Sequence, residues 1–250
     1  MRDELGRFKE GNIPWNYKRW YFENLTPELA YLIGNYLTDG SICRNKRPIH
    51  GKEYICYQFK SSSIDKELTQ YLKKCLEKIL QKKIETHWEL KPGNRQVQYY
   101  ISVTNNDLFS WMKRICKGKA RIPEIIWKAD ENIKRYFIAG IMDGDGFISE
   151  NPTKGRMYYK MGICGQEEEK PWFREIKQFL QSFGLIVGKR KEDKRKNPPV
   201  ISYEINKESF LRKNCGFHIR RKQNRLLNYA KIYRIELLRD YTPPTYDEYR

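Results

Sequence analysis

The hydrophobic pattern of this 250-residue chain is organised around two nine-residue runs, LIGNYLTDG at 32–40 and IAGIMDGDG at 138–146. Both are apolar at helical spacing and end in Asp-Gly, so each predicts a helix with an aspartate at its end and a glycine that lets the chain turn away. Thr26 is placed to cap the first helix, with Pro27 at its first position. The pattern downstream of each run also repeats. After Asp39 it predicts a strand with a polar turn over 44–53, a strand over 54–60 and a helix over 65–82. After Asp145 it predicts strands over 147–149 and 157–164 around a turn at 150–156, then a helix over 170–183.

The register holds further along. A turn begins at Pro92, 53 positions after Asp39, and another at Asn197, 52 positions after Asp145. Strand-like stretches flank both turns, at 84–91 and 96–104 and at 186–191 and 200–205. Short helices over 107–116 and 207–213 close the halves, with Asn106 and Asn206 as expected N-caps. The expected fold class is α+β, two α-β-β-α-β-β-α halves related by an approximate twofold axis. The organisation is then a basic N-terminal segment (1–25), a first half (26–118), a linker (119–130) where Pro123 interrupts the pattern, a second half (131–215) and a C-terminal region (216–250). That last region carries a helix over 222–239 and a tail that Pro243 and Pro244 keep out of helix.

Small residues recur every fourth position: Ala30, Gly34 and Thr38 in the first run, Gly140 and Gly144 in the second. Residues four apart share one helical face, and a face of small side chains lets two backbones approach closely. The two helices are therefore expected to pack together and bring Asp39 near Asp145. Converging carboxylates raise one another's pKa unless a cation compensates. Mg2+ takes oxygen ligands, commonly one or two carboxylates with phosphate oxygens, and in phosphodiester hydrolysis it activates water and stabilises the leaving oxygen. A calcium EF-hand beginning at Asp143 is excluded, because Phe147 and Ile148 stand where a ligand and the invariant glycine are required.

Charge and cysteine usage narrow the partners. Lys and Arg number 49 against 31 Asp and Glu, and the net charge of +18 points to a polyanion, nucleic acid first. Six cysteines without a C-x-x-C pair, and three histidines (His50, His87, His218), give no zinc-site spacing. The charged start MRDELGRFKEGNIPWN has no apolar signal core, so an intracellular, non-secreted protein with reduced thiols is expected. No apolar run approaches the roughly 18 residues of a membrane span, and no membrane partner is expected. No Ser or Cys stands in a recognisable nucleophile frame with His.

At its two runs, LIGNYLTDG and IAGIMDGDG, the sequence resembles the LAGLIDADG homing endonucleases, over roughly residues 26–213. The first copy departs from the motif at Asn35, Tyr36 and Thr38 but keeps Gly34 and the terminal Asp-Gly. The resemblance implies that Asp39 and Asp145 are catalytic and hold divalent metal, that the motif helices form the central interface, and that antiparallel sheets from both halves form a DNA-binding saddle over the major groove. Asp143 matches the motif's other acidic position, occupied by Leu37 in the first copy, and is secondary. The implied activity is hydrolysis of both strands of a long, asymmetric double-stranded DNA target by a monomer, as in intron mobility. The implied cofactor is Mg2+, about two or three ions, with Mn2+ able to substitute and Ca2+ binding without supporting cleavage. An intron RNA maturase and a catalytically silent DNA-binding regulator of the same fold are the alternatives, and the presence of both acids favours cleavage.

The expected DNA contacts are Arg44, Lys46, Arg47, Arg95, Lys154, Arg156, Lys189 and Lys191, on strands and turns that include the basic hairpin GKRKEDKRKNPP at 188–199. Arg220, Arg221 and Lys222 form a second basic cluster expected to follow the DNA backbone. Lys60, Gln166 and Lys189 are expected counterparts of the polar or basic groups that position water near the metals. The N-terminal GRFKEGNIPWNYKR resembles short basic motifs of mobile-element endonucleases; Trp15 and Trp20 would either extend DNA contact or pin the segment to the body.

Overall fold

The computed structural model describes residues 25–49, 52–90, 96–153, 156–235 and 237. The N-terminal segment with Trp15 and Trp20, together with Arg95, Lys154 and the tail after 237, lies outside the described residues, as does the side chain of Arg47.

The chain order is α1 (Pro27–Leu37), β1 (Ser41–Ile49), β2 (Lys52–Ser63), α2 (Lys66–Leu80), β3 (Thr86–Leu90), β4 (Val97–Thr104) and α3 (Asn106–Ile115). After the short α4 (Glu124–Trp127) the same order returns: α5 (Glu131–Gly144), β5 (Gly146–Thr153), β6 (Arg156–Gly165), α6 (Phe173–Ser182), β7 (Val187–Asp193), β8 (Val200–Ile205) and α7 (Lys207–Arg212). One more helix, α8 (Arg220–Ile232), comes last. The strands form two antiparallel four-stranded sheets, β1-β2-β4-β3 and β5-β6-β8-β7, so the repeat read in the sequence is a repeat of topology.

The two motif helices begin on side-chain caps. Thr26 Oγ1 accepts from Leu29 N at 3.3 Å with Pro27 in the first turn, and Asp130 Oδ1 accepts from Ile133 N at 2.8 Å. Every residue of α1 from Leu29 to Leu37 is buried, because this helix packs on α5 and on its own half at once. A Cβ added at Gly34 would stand 2.6 Å from Phe137 O, and one at Gly140 would overlap Tyr31 O. The backbones of α1 and α5 therefore touch, and the small-residue stripes are the surfaces through which they do so.

Each sheet turns one face to the helices. Ile42, Phe59, Ile101 and Val103 in the first sheet, and Ile148, Met161, Ile163 and Ile205 in the second, are buried there. The strands alternate, so the opposite face carries Ser41, Gln58, Lys60 and Ser102 in one half and Lys160, Ser202 and Glu204 in the other.

Several boundaries differ from expectation for identifiable reasons. Residues 44–53 are mostly strand: β1 and β2 pair from Ser41↔Lys60 out to Ile49↔Lys52, and β5–β6 extends likewise from Gly146↔Ile163 to Thr153↔Arg156. These hairpins run beyond the core, where neither face is buried and alternation no longer marks a strand. The cap of α3 is Asn105, whose Oδ1 accepts from Leu108 N at 2.9 Å. Asn106 instead joins β2, accepting from Tyr57 N at 2.9 Å and donating to Ile55 O at 3.2 Å. Asn206 caps α7 as expected, accepting from Ser209 N at 2.8 Å. Residues 119–130 hold a buried Ile122 and Ile126, which anchor this stretch in the core. α8 spans Arg220–Ile232 where a helix over 222–239 was expected.

Candidate active site at the ends of the motif helices

Asp39 stands one residue past Thr38, the C-cap of α1, and Asp145 is itself the C-cap of α5. In the first turn, Thr38 N and Gly40 N fold back onto Asn35 O at 3.2 and 2.7 Å. In the second, Asp145 N donates to Ile141 O at 3.0 Å, and Cys164 N of β6 donates to Asp145 O at 3.2 Å. A Cβ at Gly144 would lie 3.4 Å from Asp39 Oδ2, so the Asp39 carboxylate abuts the residue that precedes Asp145. The packing of α1 on α5 thus brings the two acids together.

Three ammonium groups surround them. Lys170 donates to both carboxylate oxygens of Asp145, at 2.6 and 2.7 Å. Lys119 donates to Thr38 O at 3.1 Å, within the field of both acids. Lys222 is buried at the end of α5, where it bonds backbone carbonyls on both sides of Asp145. Burial raises the pKa of Asp145 above the usual carboxylate value, with Lys170 pulling it back and Asp39 adding to the rise. Asp39 is also raised by burial and drawn back by Lys170, Lys222 and Lys119. Its side chain reaches solvent on one side, while protein crowds the remaining sides and thins its hydration. Lys119 is pushed down to about 8, first by burial and then by repulsion from Lys170. On the open side a notch of about 280 Å3 runs from Asp39 along Ser41, Lys60, Ser62 and Ser102.

Asp143 has a different task. It is buried and accepts from Tyr31 Oη at 2.9 Å, from His218 N at 3.0 Å and from Ile219 N at 3.3 Å, with His218 Nδ1 also at 3.0 Å. It ties α1, α5 and the segment before α8 together, away from the open faces. Burial lowers the His218 pKa, with Asp143 opposing.

Other sequence-based expectations change here. The 220–222 cluster is largely structural: Arg221 makes a two-pronged pair with Asp65 at 2.8 Å on each arm, and Lys222 is only 4% exposed. The register puts Arg44 opposite Tyr57 and Lys46 opposite Ile55, on the face of Ile42 and Phe59, away from the face that carries Lys60. Lys46 is also paired with Glu53 at 2.8 Å. Arg156 and Lys191 do lie on the face of Lys160 and Ser202, with Lys191 paired to Glu204 at 2.9 Å, and Lys189 is exposed beside them. Gln166 donates to Pro198 O at 2.8 Å, which commits its amide to a loop contact. Of the groups expected to position water, Lys60 is the one that lines the notch at Asp39.

Lys119 and Lys170 were not anticipated. A signal for Lys170 existed: Pro171 keeps the preceding residue out of helical geometry, so Lys170 had to precede α6. α6 begins only at Phe173, which leaves Lys170 in the turn that faces Asp145. Nothing in the local pattern marked Lys119.

Among the described residues no three His, Cys, Asp or Glu side chains group as a metal site. Residues 132–214 match the family model of the LAGLIDADG-like domain. The second half is thus similar to the LAGLIDADG-like domain family. An uncharacterized protein of Methanocaldococcus jannaschii is 24% identical over 143 residues, 57% of this chain and 47% of that protein. The chain thus spans about half the length of this curated relative. Among solved structures, the homing endonuclease I-DmoI in complex with DNA and Mn superposes with a TM-score of 0.50 at 15% identity, covering 76% of this chain and 97% of that one. A variant of I-DmoI in complex with its target DNA in the presence of Mg gives 0.52 at 17% identity, over 76% and 97%. The chain therefore shares the fold of the homing endonuclease I-DmoI, with both four-stranded sheets in place.

Proposed function

We propose that this LAGLIDADG chain is a divalent-metal-dependent endonuclease that cuts both strands of a long, asymmetric DNA duplex, one chain per site, inside the cell. The observation that carries this reading is the meeting of Asp39 and Asp145 at the ends of α1 and α5, between two sheets whose outer faces are polar and basic. Structures of I-DmoI with DNA and Mn or Mg support the substrate class and the kind of ion.

The donor set fits a hard cation. Two carboxylates suit Mg2+, which takes its other ligands from phosphate oxygens and water. When bound, the ion lowers the pKa of its water and stabilises the departing oxygen. The chain's own residues do the rest. Asp39 and Asp145 supply oxygens held by two rigid helix ends, an arrangement that removes orientational freedom from the reacting groups. Lys170 and Lys119 balance the paired negative charge when no cation is near. Lys60 and the hydroxyls of Ser41, Ser62 and Ser102 line the approach to Asp39, where a phosphate would find donors. Arg156, Lys189 and Lys191 extend the basic surface on the second sheet, and the excess of 18 positive charges draws the duplex in.

The test is to incubate the full chain with a library of randomised duplexes and Mg2+, then sequence the ends produced. Paired breaks converging on one long, non-palindromic sequence are expected. Duplexes that are retained by the protein but never cut would overturn the endonuclease reading in favour of a silent DNA-binding regulator.

A further inference from the structure

We infer that Lys222 is a positioning residue for Asp145, closing the end of α5 and fixing the direction in which Asp145 leaves the helix. The last carbonyls of a helix have no partner within it, and water ordinarily satisfies them. At α5 water is excluded, because Lys222 is 4% exposed and occupies the position itself. Its ammonium donates to Met142 O at 2.9 Å, Asp143 O at 2.7 Å and Gly146 O at 2.6 Å. An ammonium has three donors, and these three acceptors take them all. Two precede Asp145 and one succeeds it, so Lys222 clamps the backbone on both sides of the acid.

The clamp is itself anchored. Arg221, the neighbouring residue, grips Asp65 at the start of α2 at 2.8 Å on both arms. Gln223 Oε1 accepts from Phe217 N at 2.9 Å, and Arg225 donates to Ile148 O at 3.0 Å on β5. The first turns of α8 are thus fastened to both halves of the molecule. A milder version serves α1, where Trp172 Nε1 donates to Leu37 O at 2.9 Å and Lys119 to Thr38 O at 3.1 Å. Lys119 and Lys170 stand where an incoming cation or phosphate would meet them. Lys222 is buried and bonds backbone carbonyls, not the carboxylates, so its contacts do not compete with a ligand of Asp145. Groups that orient a metal ligand commonly alter metal affinity or activity by about 10- to 100-fold when removed.

The consequence for cutting rests on the endonuclease reading, whereas the consequence for the Asp145 backbone does not. The test compares the full-length parent with Lys222→Met, using amide hydrogen exchange and the Mg2+ dependence of single-turnover cutting. The reporters are Asp145 N and Cys164 N, whose bonds to Ile141 O and Asp145 O frame the acid. Exchange at these two amides should quicken by about tenfold or more while amides within α1 keep their protection. The Mg2+ needed for half-maximal rate should rise by about 10- to 100-fold, with Lys222→Arg, which keeps the charge, recovering part of the loss. If Lys222→Met does not fold, Lys222→Gln is measured instead, and the same local pattern is expected. Unchanged exchange at Asp145 and Cys164, uniform quickening across the chain, or local quickening with an unaltered Mg2+ requirement would each overturn the inference. If the parent cuts no duplex at all, the endonuclease reading falls and the amide result alone decides the role of Lys222.

Discussion

Lys170 holds both carboxylate oxygens of Asp145 with one ammonium, at 2.6 and 2.7 Å. An ion bound to Asp145 must draw on the same oxygens, so Lys170 competes with metal in the DNA-free protein. Hydrogen bonds to charged groups are worth about 1.5 to 3 kcal/mol each, which makes roughly tenfold tighter Ca2+ binding the expected result of Lys170→Met. Calorimetric titration of the DNA-free protein with Ca2+ measures it. Weaker binding in the variant would show that Lys170 supports the bound ion.

The two acids make the metal-free fold pH-dependent in a direction opposite to that of ordinary paired carboxylates. Burial raises both pKa values above the usual 3.8. Between that value and the raised one the folded chain binds more protons than the unfolded chain, so stability falls as pH rises through this window and stays lower above it. Lys170 offsets part of this at Asp145. Asp39→Asn is therefore expected to melt above the parent in metal-free buffer at neutral pH, and by a smaller margin at acidic pH. Asp145→Asn should show a gain of the same sign but smaller, because Lys170 loses its hydrogen-bond partner there. Thermal melts across pH, with and without Mg2+, separate these outcomes, because added Mg2+ should stabilise the parent and narrow the difference.

Glycine at 34 and 140 is a steric requirement of the α1–α5 contact. Even a methyl group at Gly34 would approach Phe137 O to 2.6 Å, and one at Gly140 would overlap Tyr31 O. Gly34→Ala and Gly140→Ala should each cost about 1 to 3 kcal/mol by overpacking, and should slow cutting further because a shift near 1 Å between reacting groups costs about a hundredfold. Gly188→Ala is the control, since its Cβ would meet Glu204 O at an ordinary 3.5 Å. Denaturant melts and cutting rates for the three variants check this, and parental values at both motif positions would contradict the packing.

How much of this was legible in the sequence depends on which interactions are local. The caps at Thr26 and Asn206, the paired element order and the stripes through Gly34 and Gly140 depend on neighbours a few residues apart, and the structure contains them all. The strand face of Arg44 and Lys46 was not legible, because β1 and β2 extend past the core and a one-residue change of register exchanges the two faces. Lys170, Lys119 and Lys222 act on residues 25, 81 and 76 to 80 positions away. No periodicity marks a side chain that reaches the end of a helix distant in sequence, and in Lys222 a charged residue of a basic run became a buried clamp.

Two unlike halves in one chain predict one chain per duplex. The contact between α1 and α5 is already made within the polypeptide, so a second copy has no motif helix to contribute. Sedimentation of the protein bound to a recovered cleavage site should return a single chain. Two chains per duplex would contradict the single-chain arrangement.

The central claim is that Asp39 and Asp145 together hold the cation that cuts DNA. It is tested most directly by cutting and binding measured side by side for the parent, Asp39→Asn and Asp145→Asn on the same duplex in Mg2+. Both variants should lose cutting while DNA affinity is kept or tightened, because each removes a negative charge beside the phosphates. Cutting at the parental rate by either variant would contradict the account.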